Sequence, residues 1–202
     1  MSRKLIPCLA VLVVLGGVAA HAEGLEITLF GGYAVGGEFE GELFDSELES
    51  SSTYGLIIDI PVASDLQLEI FASQQGTDLV VEGFGPGGLG PLAEVDVQYL
   101  HIGILQHFDH GNVEPYYVFS AGLTQLNPTG YETESRPSVG FGGGTKLFLS
   151  RDALLGFRFG GRILATYFDD PEVFCNSGGC LGEVSGTFMV QAQAEIGLVI
   201  RF

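Results

Sequence analysis

Apolar and polar residues alternate with a period of two along most of this chain, in long runs separated by polar or glycine-rich breaks. Period-two alternation places successive side chains on opposite faces of a β-strand. Eight such runs follow residue 24. The first, Leu25 to Gly37, puts Leu25, Ile27, Leu29, Gly31, Tyr33 and Val35 on one face and Glu26, Thr28, Phe30 and Gly32 on the other. The remaining runs span Thr53–Val62, Leu66–Val81, Glu94–Phe108, Pro115–Gln125, Ser138–Leu149, Leu154–Phe168 and Thr187–Phe202. The last alternates most regularly: Phe188, Val190, Ala192, Ala194, Ile196, Leu198, Ile200 and Phe202 interleave with Gln191, Gln193, Glu195 and Arg201.

The fourth run breaks phase. Val95, Val97 and Tyr99 share one parity, whereas Leu100, Ile102 and Ile104 share the other. One extra residue in a strand exchanges its faces, so a β-bulge near Tyr99 and Leu100 is expected there.

The breaks alternate in length. Short turns at Ala63–Asp65, Asp109–Glu114 and Ser150–Asp152 follow the second, fourth and sixth strands, and longer breaks follow the first, third, fifth and seventh. Even strand number, strands of about ten residues or more, and four long loops opposing three short turns predict an all-β, eight-stranded antiparallel up-and-down transmembrane barrel. A bilayer offers no water to the backbone, so a spanning sheet must close. Tyr33, Tyr54, Tyr167 and Phe188 near the long-loop ends, and Phe108, Tyr117, Phe157 and Phe202 near the short-turn ends, form two aromatic girdles. A soluble barrel or sandwich would also alternate; the loop asymmetry and the N-terminal segment argue against it.

That segment has the form of a secretory signal. Arg3 and Lys4 precede the apolar run Leu5–Ala20, and Ala20-His21-Ala22 is an A-x-A cleavage site. The expected division is a signal peptide at 1–22 and a barrel domain at 23–202. Cys8 leaves with the signal, while Cys175 and Cys180 enter an oxidising compartment where a disulfide between them is expected.

Composition sharpens this picture in two ways. Loss of Arg3 and Lys4 lowers the basic count from 8 to 6 against 25 acids, a formal charge of −19, which excludes nucleic acid as a partner. Yet 46% of the residues are hydrophobic, so charge and apolarity must be segregated. Much of the acid lies in the first long loop, at Glu38, Glu40, Glu42, Asp45, Glu47 and Glu49. If the apolar parity faces lipid, Glu26, Asp59, Glu69, Lys146, Arg158, Arg162, Glu195 and Arg201 all point inward. Buried charges require partners, and an eight-stranded barrel is only wide enough for its side chains to fill. A plugged lumen crossed by ion pairs is therefore expected; a narrow gated pore is the alternative.

Candidate chemistry is sparse. His107-x-Asp109-His110 could ligate a metal, but two histidines at an exposed turn are more often incidental. The acidic loop lacks the spacing and glycine of an EF-hand. There is no GxSxG elbow, and His101 has no serine partner evident from the sequence. No cofactor is expected.

Ile196, Leu198, Ile200 and the terminal Phe202, with the strand count and loop pattern, resemble the small outer-membrane β-barrel superfamily, the OmpA/OmpX-like transmembrane barrels. Pro115-Tyr116-Tyr117 opening a strand, and Gly140 to Gly144 within one, are similar too. The resemblance implies a bacterial outer-membrane location among lipid and lipopolysaccharide. It also implies that the outer-membrane assembly machinery reads the final aromatic strand during biogenesis. The expectation is a monomeric, non-enzymatic barrel with a structural or surface-interaction role. A narrow transporter for small molecules is the alternative, and a lipid-modifying enzyme a more distant one.

Overall fold

A computed structural model describes residues 24–39, 46–81, 89–108, 110–149, 154–168, 172–176, 179–183 and 188–202. For 38–39, 46–47, 80–81, 89–93, 172–176 and 179–183 it describes the backbone alone. The expected signal peptide, and Glu40, Glu42, Asp45, Asp109 and Arg151, lie outside the described residues.

Eight long strands form the wall: β1 (Glu26–Gly36), β4 (Ser51–Ala63), β5 (Leu66–Val81), β6 (Leu89–His107), β7 (Val113–Pro128), β8 (Glu134–Phe148), β9 (Leu155–Tyr167) and β12 (Phe188–Arg201). Each pairs antiparallel with its neighbours in the order β5-β4-β1-β12-β9-β8-β7-β6, and β6 pairs back onto β5, closing the barrel. Four short strands decorate the long-loop end. β2 (Glu38–Phe39) and β3 (Ser46–Leu48) lie between β1 and β4, and β3 extends the wall by pairing with the end of β5. β10 (Glu172–Asn176) and β11 (Gly179–Glu183) form a separate hairpin between β9 and β12.

The registers determine the strand tilt. A row of directly paired residues leaves Gln98 on β6 and passes through Gln74, Tyr54, Gly31, Ile196, Phe159, Thr145 and Pro115. It returns to β6 at Phe108, whose backbone N–H donates to the Pro115 carbonyl, so the circuit is displaced by ten positions, 98 to 108. With roughly 3.3 Å rise per residue and 4.8 Å between strands, that stagger inclines the strands by about 40° to the barrel axis, as barrel closure demands.

The alternation settles which face is which. On β12 the burial alternates strictly, with Met189, Gln191, Gln193, Glu195, Gly197 and Val199 inside and the apolar series ending at Ile200 outside. All eight girdle aromatics are exposed on the outer face, from Tyr54 at 59% to Tyr117 and Tyr167 at 40%. Tyr167 packs on Phe188 at one rim and Phe108 on Tyr117 at the other.

The expected β-bulge is absent. β6 pairs with β5 without a shift from Leu66↔Gln106 to Leu79↔Ala93, and the irregularities fall elsewhere, at Leu79/Val81 and Pro61/Ala63. Val95, Val97 and Tyr99 point inward while Leu100, Ile102 and Ile104 point out. The change of parity marks a change in what the interior contains: toward the long-loop end the lumen is apolar, so inward residues there are apolar as well.

Two predicted breaks are partly strand. β7 runs to Pro128 and β8 starts at Glu134, which shortens the break expected between Gln125 and Ser138, and β6 begins at Leu89 within the break expected between Val81 and Glu94. No disulfide is found among the described residues. Cys175 and Cys180 stand directly opposite one another in the β10–β11 backbone register, and their side chains lie outside what is described.

Candidate functional site: the charged lumen

Every expected lumen residue projects from a wall strand, and the registers explain the arrangement. Glu26 on β1 stands opposite Asp59 on β4, which stands opposite Glu69 on β5, forming an acidic row. Lys146 on β8 stands opposite Arg158 on β9, forming a basic row. Like charges directly opposite each other destabilise an open sheet. Closure sets the rows face to face across the lumen.

Lys146 Nζ donates to Glu26 Oε2 at 2.5 Å, to Asp59 Oδ2 at 2.8 Å and to Gln67 Oε1 at 2.8 Å. Three N–H donors therefore meet three acceptors. Arg158 donates from Nη1 to Asp59 Oδ2 at 2.8 Å, from Nη2 to Glu69 Oε2 at 2.6 Å and from Nε to the Tyr116 hydroxyl at 3.0 Å. Glu195 Oε1 lies 3.6 Å from Arg158 Nε. β8 and β4 lie on opposite sides of the barrel, as do β9 and β5. The Lys146–Asp59 and Arg158–Glu69 pairs thus span the lumen across its width.

At the short-turn mouth Arg201 Nη2 bridges Glu26 at 2.5 Å and Glu114 at 2.7 Å. Higher up, Arg162 Nη2 approaches Glu69 Oε1 at 2.9 Å, and its guanidinium lies 4.0 Å from the centre of the Phe71 ring. Its Nε and Nη1 have no hydrogen-bond partner among the described residues. The Tyr116 ring packs against the Arg158 guanidinium at 4.4 Å. Glycine makes room for it: a Cβ at Gly160 or Gly144 would sit 2.5 or 2.8 Å from the Tyr116 hydroxyl oxygen.

All eight expected charges belong to this one interior group. Sequence reasoning missed Glu114, Gln67 and Tyr116. Glu114 was assigned to a turn, but β7 begins at Val113 and carries Glu114 inward on the same parity as Tyr116. Inward parity extended to the first residues of each strand would have found all three.

His101, for which the sequence shows no evident serine partner, has two. Its Nδ1 lies 3.0 Å from Ser120 Oγ and its Nε2 lies 2.8 Å from Ser138 Oγ, with no side-chain exposure. These serines sit on β7 and β8, 19 and 37 residues away in sequence, and only the barrel register brings them together. At the short-turn rim His107 Nδ1 lies 4.0 Å from Glu114 Oε2, and His110 Nδ1 is 3.2 Å from the Phe108 carbonyl. Among the described residues no three metal-ligating side chains converge.

No protein-family model matches this sequence, and no curated protein matches it. Solved structures do match. Neisserial surface protein A superposes with a TM-score of 0.62 at 10% identity, over 88% of this chain and 97% of that one. The outer membrane protein OprG from Pseudomonas aeruginosa gives 0.57 at 12% identity, over 90% of this chain and 97% of that one. The outer membrane protein AlkL, solved in lipid bilayers, gives 0.55 at 14% identity, over 91% of this chain and 92% of that one. This chain has the fold of the small outer-membrane β-barrels. Inside its wall it packs four cations and five carboxylates, with Arg158 as their hub.

Proposed function

We propose that this chain is a non-enzymatic bacterial outer-membrane barrel whose lumen is plugged by ion pairs, and that it serves a structural or surface-interaction role through its four long loops. The observation that carries the reading is the pair of full-width bridges, Lys146 to Asp59 and Arg158 to Glu69, both buried. These side chains occupy the bore, as expected for eight strands. Planar-bilayer recording tests it directly. The expected record is a flat baseline, and sustained single-channel steps from the unmodified protein would favour the narrow-pore alternative.

Membrane residence has its own support. From Gln98 to Phe108 the outer face of β6 carries Leu100, Ile102 and Ile104, bounded by Gln98 at one end and by Gln106 and Phe108 at the other. Ten residues at a tilt of about 40° rise about 25 Å, the height of an outer-membrane barrel's apolar band. On this reading the chain is exported through a cleaved signal at 1–22, lies as a monomer in outer-membrane lipid with lipopolysaccharide, and displays the long-loop end outward. Ile196, Leu198, Ile200 and Phe202 all face outward on β12, where the assembly machinery could read them before insertion.

The non-enzymatic reading draws on the position of His101. Its two serine contacts resemble the start of a catalytic dyad, but the group is fully buried inside the wall and away from the rims. Both ring nitrogens are already engaged, which a satisfied buried histidine requires. A lipase or lipid A deacylase assay on the refolded protein, compared with His101→Ala, tests the enzyme alternative; activity lost in the variant would establish it.

A further inference from the structure

We infer that the lumen is closed twice in series, by the charged hub near the short-turn end and by a separate, uncharged seal near the long-loop end. The inference rests on the plugged-barrel reading and deepens it. Above the hub the interior is crossed again by neutral hydrogen bonds. The Tyr99 hydroxyl on β6 donates to Gln191 Oε1 on β12 at 2.6 Å, and these strands stand on opposite sides of the barrel. Gln191 Nε2 donates to Gln75 Oε1 on β5 at 3.3 Å, and the Thr124 and Thr166 hydroxyls meet at 2.8 Å over the top of β8. Around and above these bridges, Val97, Leu126, Leu164 and Met189 belong to one apolar cluster, none more than 1% exposed.

The two closures differ in physical kind. The hub depends on charge pairing and could be loosened by changing carboxylates. An apolar constriction excludes ions because it offers them no hydration, the way hydrophobic gates close channels. The second seal touches the charged group only where Phe71 meets Arg162 and holds no charge of its own, so it loses no ion pair when the hub is loosened, and passage of a hydrophilic solute requires both to open. Such an arrangement explains the parity change on β6: Val95 and Val97 face inward because they build the upper seal.

The test separates the seals. Ser120 on β7 lies between them, four residues from Tyr116 at the hub and four from Thr124 at the upper bridges. In a Cys175→Ser, Cys180→Ser background, Ser120→Cys would be exposed in intact cells to aminoethyl methanethiosulfonate, a small cationic thiol reagent. A hub-loosened form (Asp59→Asn with Glu69→Gln) is expected to label no faster than the parent. A seal-loosened form (Leu126→Ser with Leu164→Ser) is expected to label at least tenfold faster. Equal labelling of the hub-loosened and seal-loosened forms would overturn the inference.

Bilayer recording of the hub-loosened form, once its heat-shifted migration on detergent gels shows it folded, decides the matter even if the seal-loosened one fails to fold; if that double variant does not fold, Glu69→Gln alone takes its place. A flat baseline supports a second seal, and steady conductance from that variant eliminates it. Conductance from the unmodified protein would instead overturn the plugged-barrel reading on which the inference rests.

Discussion

Asp59, like Glu26 and Glu69, meets two interior cations, and it is the one that ties Lys146 to Arg158. Its Oδ2 accepts from both Lys146 and Arg158, two buried cations on different strands. Removing one partner of a buried pair strands the other charge, at a cost of about 3–5 kcal/mol. Asp59→Ala is thus expected to lower barrel stability by about that amount, read by urea titration in vesicles. Glu114→Gln should cost only about 1 kcal/mol, because Arg201 is 24% exposed and keeps Glu26 as a partner. A cost for Glu114→Gln equal to that for Asp59→Ala would mean that the mouth, not the hub, holds the lumen together. Gly160 gives a steric counterpart. A methyl there would press on both the Tyr116 hydroxyl and the Glu195 carboxylate, so Gly160→Ala should destabilise the barrel although glycine is ordinarily the poorer strand residue. A stabilised Gly160→Ala barrel, by the same titration, would contradict the packing around Tyr116.

At the scale of the strand, β6 tests the parity argument. Ile102 faces outward at mid-height, where an arginine in contact with lipid costs about 2–4 kcal/mol. Ile102→Arg should therefore impair folding into vesicles, while Gln98→Arg, at the rim of the band, should be nearly neutral. If a bulge reversed the strand between Tyr99 and Leu100, one of these residues would change faces and the contrast would vanish. The alternation alone could not settle this strand. Period-two patterning reports which residues differ from their neighbours; it does not report whether the inward side is polar. On the other seven strands enough inward positions are polar or charged for the rule to work as read, although several of them also turn an apolar residue inward. The upper half of β6 reverses it because its inward neighbours are Leu126, Leu164 and Met189, contributed by β7, β9 and β12.

The whole molecule is held by closure. Acidic β1–β4–β5 and basic β8–β9 are each unfavourable as isolated ribbons, since they align like charges across adjacent strands. Joining β1 to β12 over eleven paired positions, and β5 to β6, brings the two rows into register across the bore. Stability should accordingly be cooperative. The unheated protein is expected to migrate as a compact species on detergent gels and to shift in one step on heating. Gradual loss of the compact band, through stable partly opened forms, would argue that the charged rows do not depend on closure.

Strand existence, the eight-strand count, the aromatic girdles and the inward parity of eight charged residues were all legible in the amino-acid order. Each follows from local rules: two residues per pleat, and turn-forming residues at the breaks. What the tertiary structure alone decided were the partners. Asp59 could have met any of several cations, His101 gave no sign of Ser120 or Ser138, and Glu114 looked like part of a turn. Those contacts join residues 19 to 99 apart in sequence, and they are set by a ten-residue stagger summed around the barrel. Stagger is a property of closure, so no single strand encodes it. An alternating sequence determines which face a side chain takes; only the closed wall determines what it meets there.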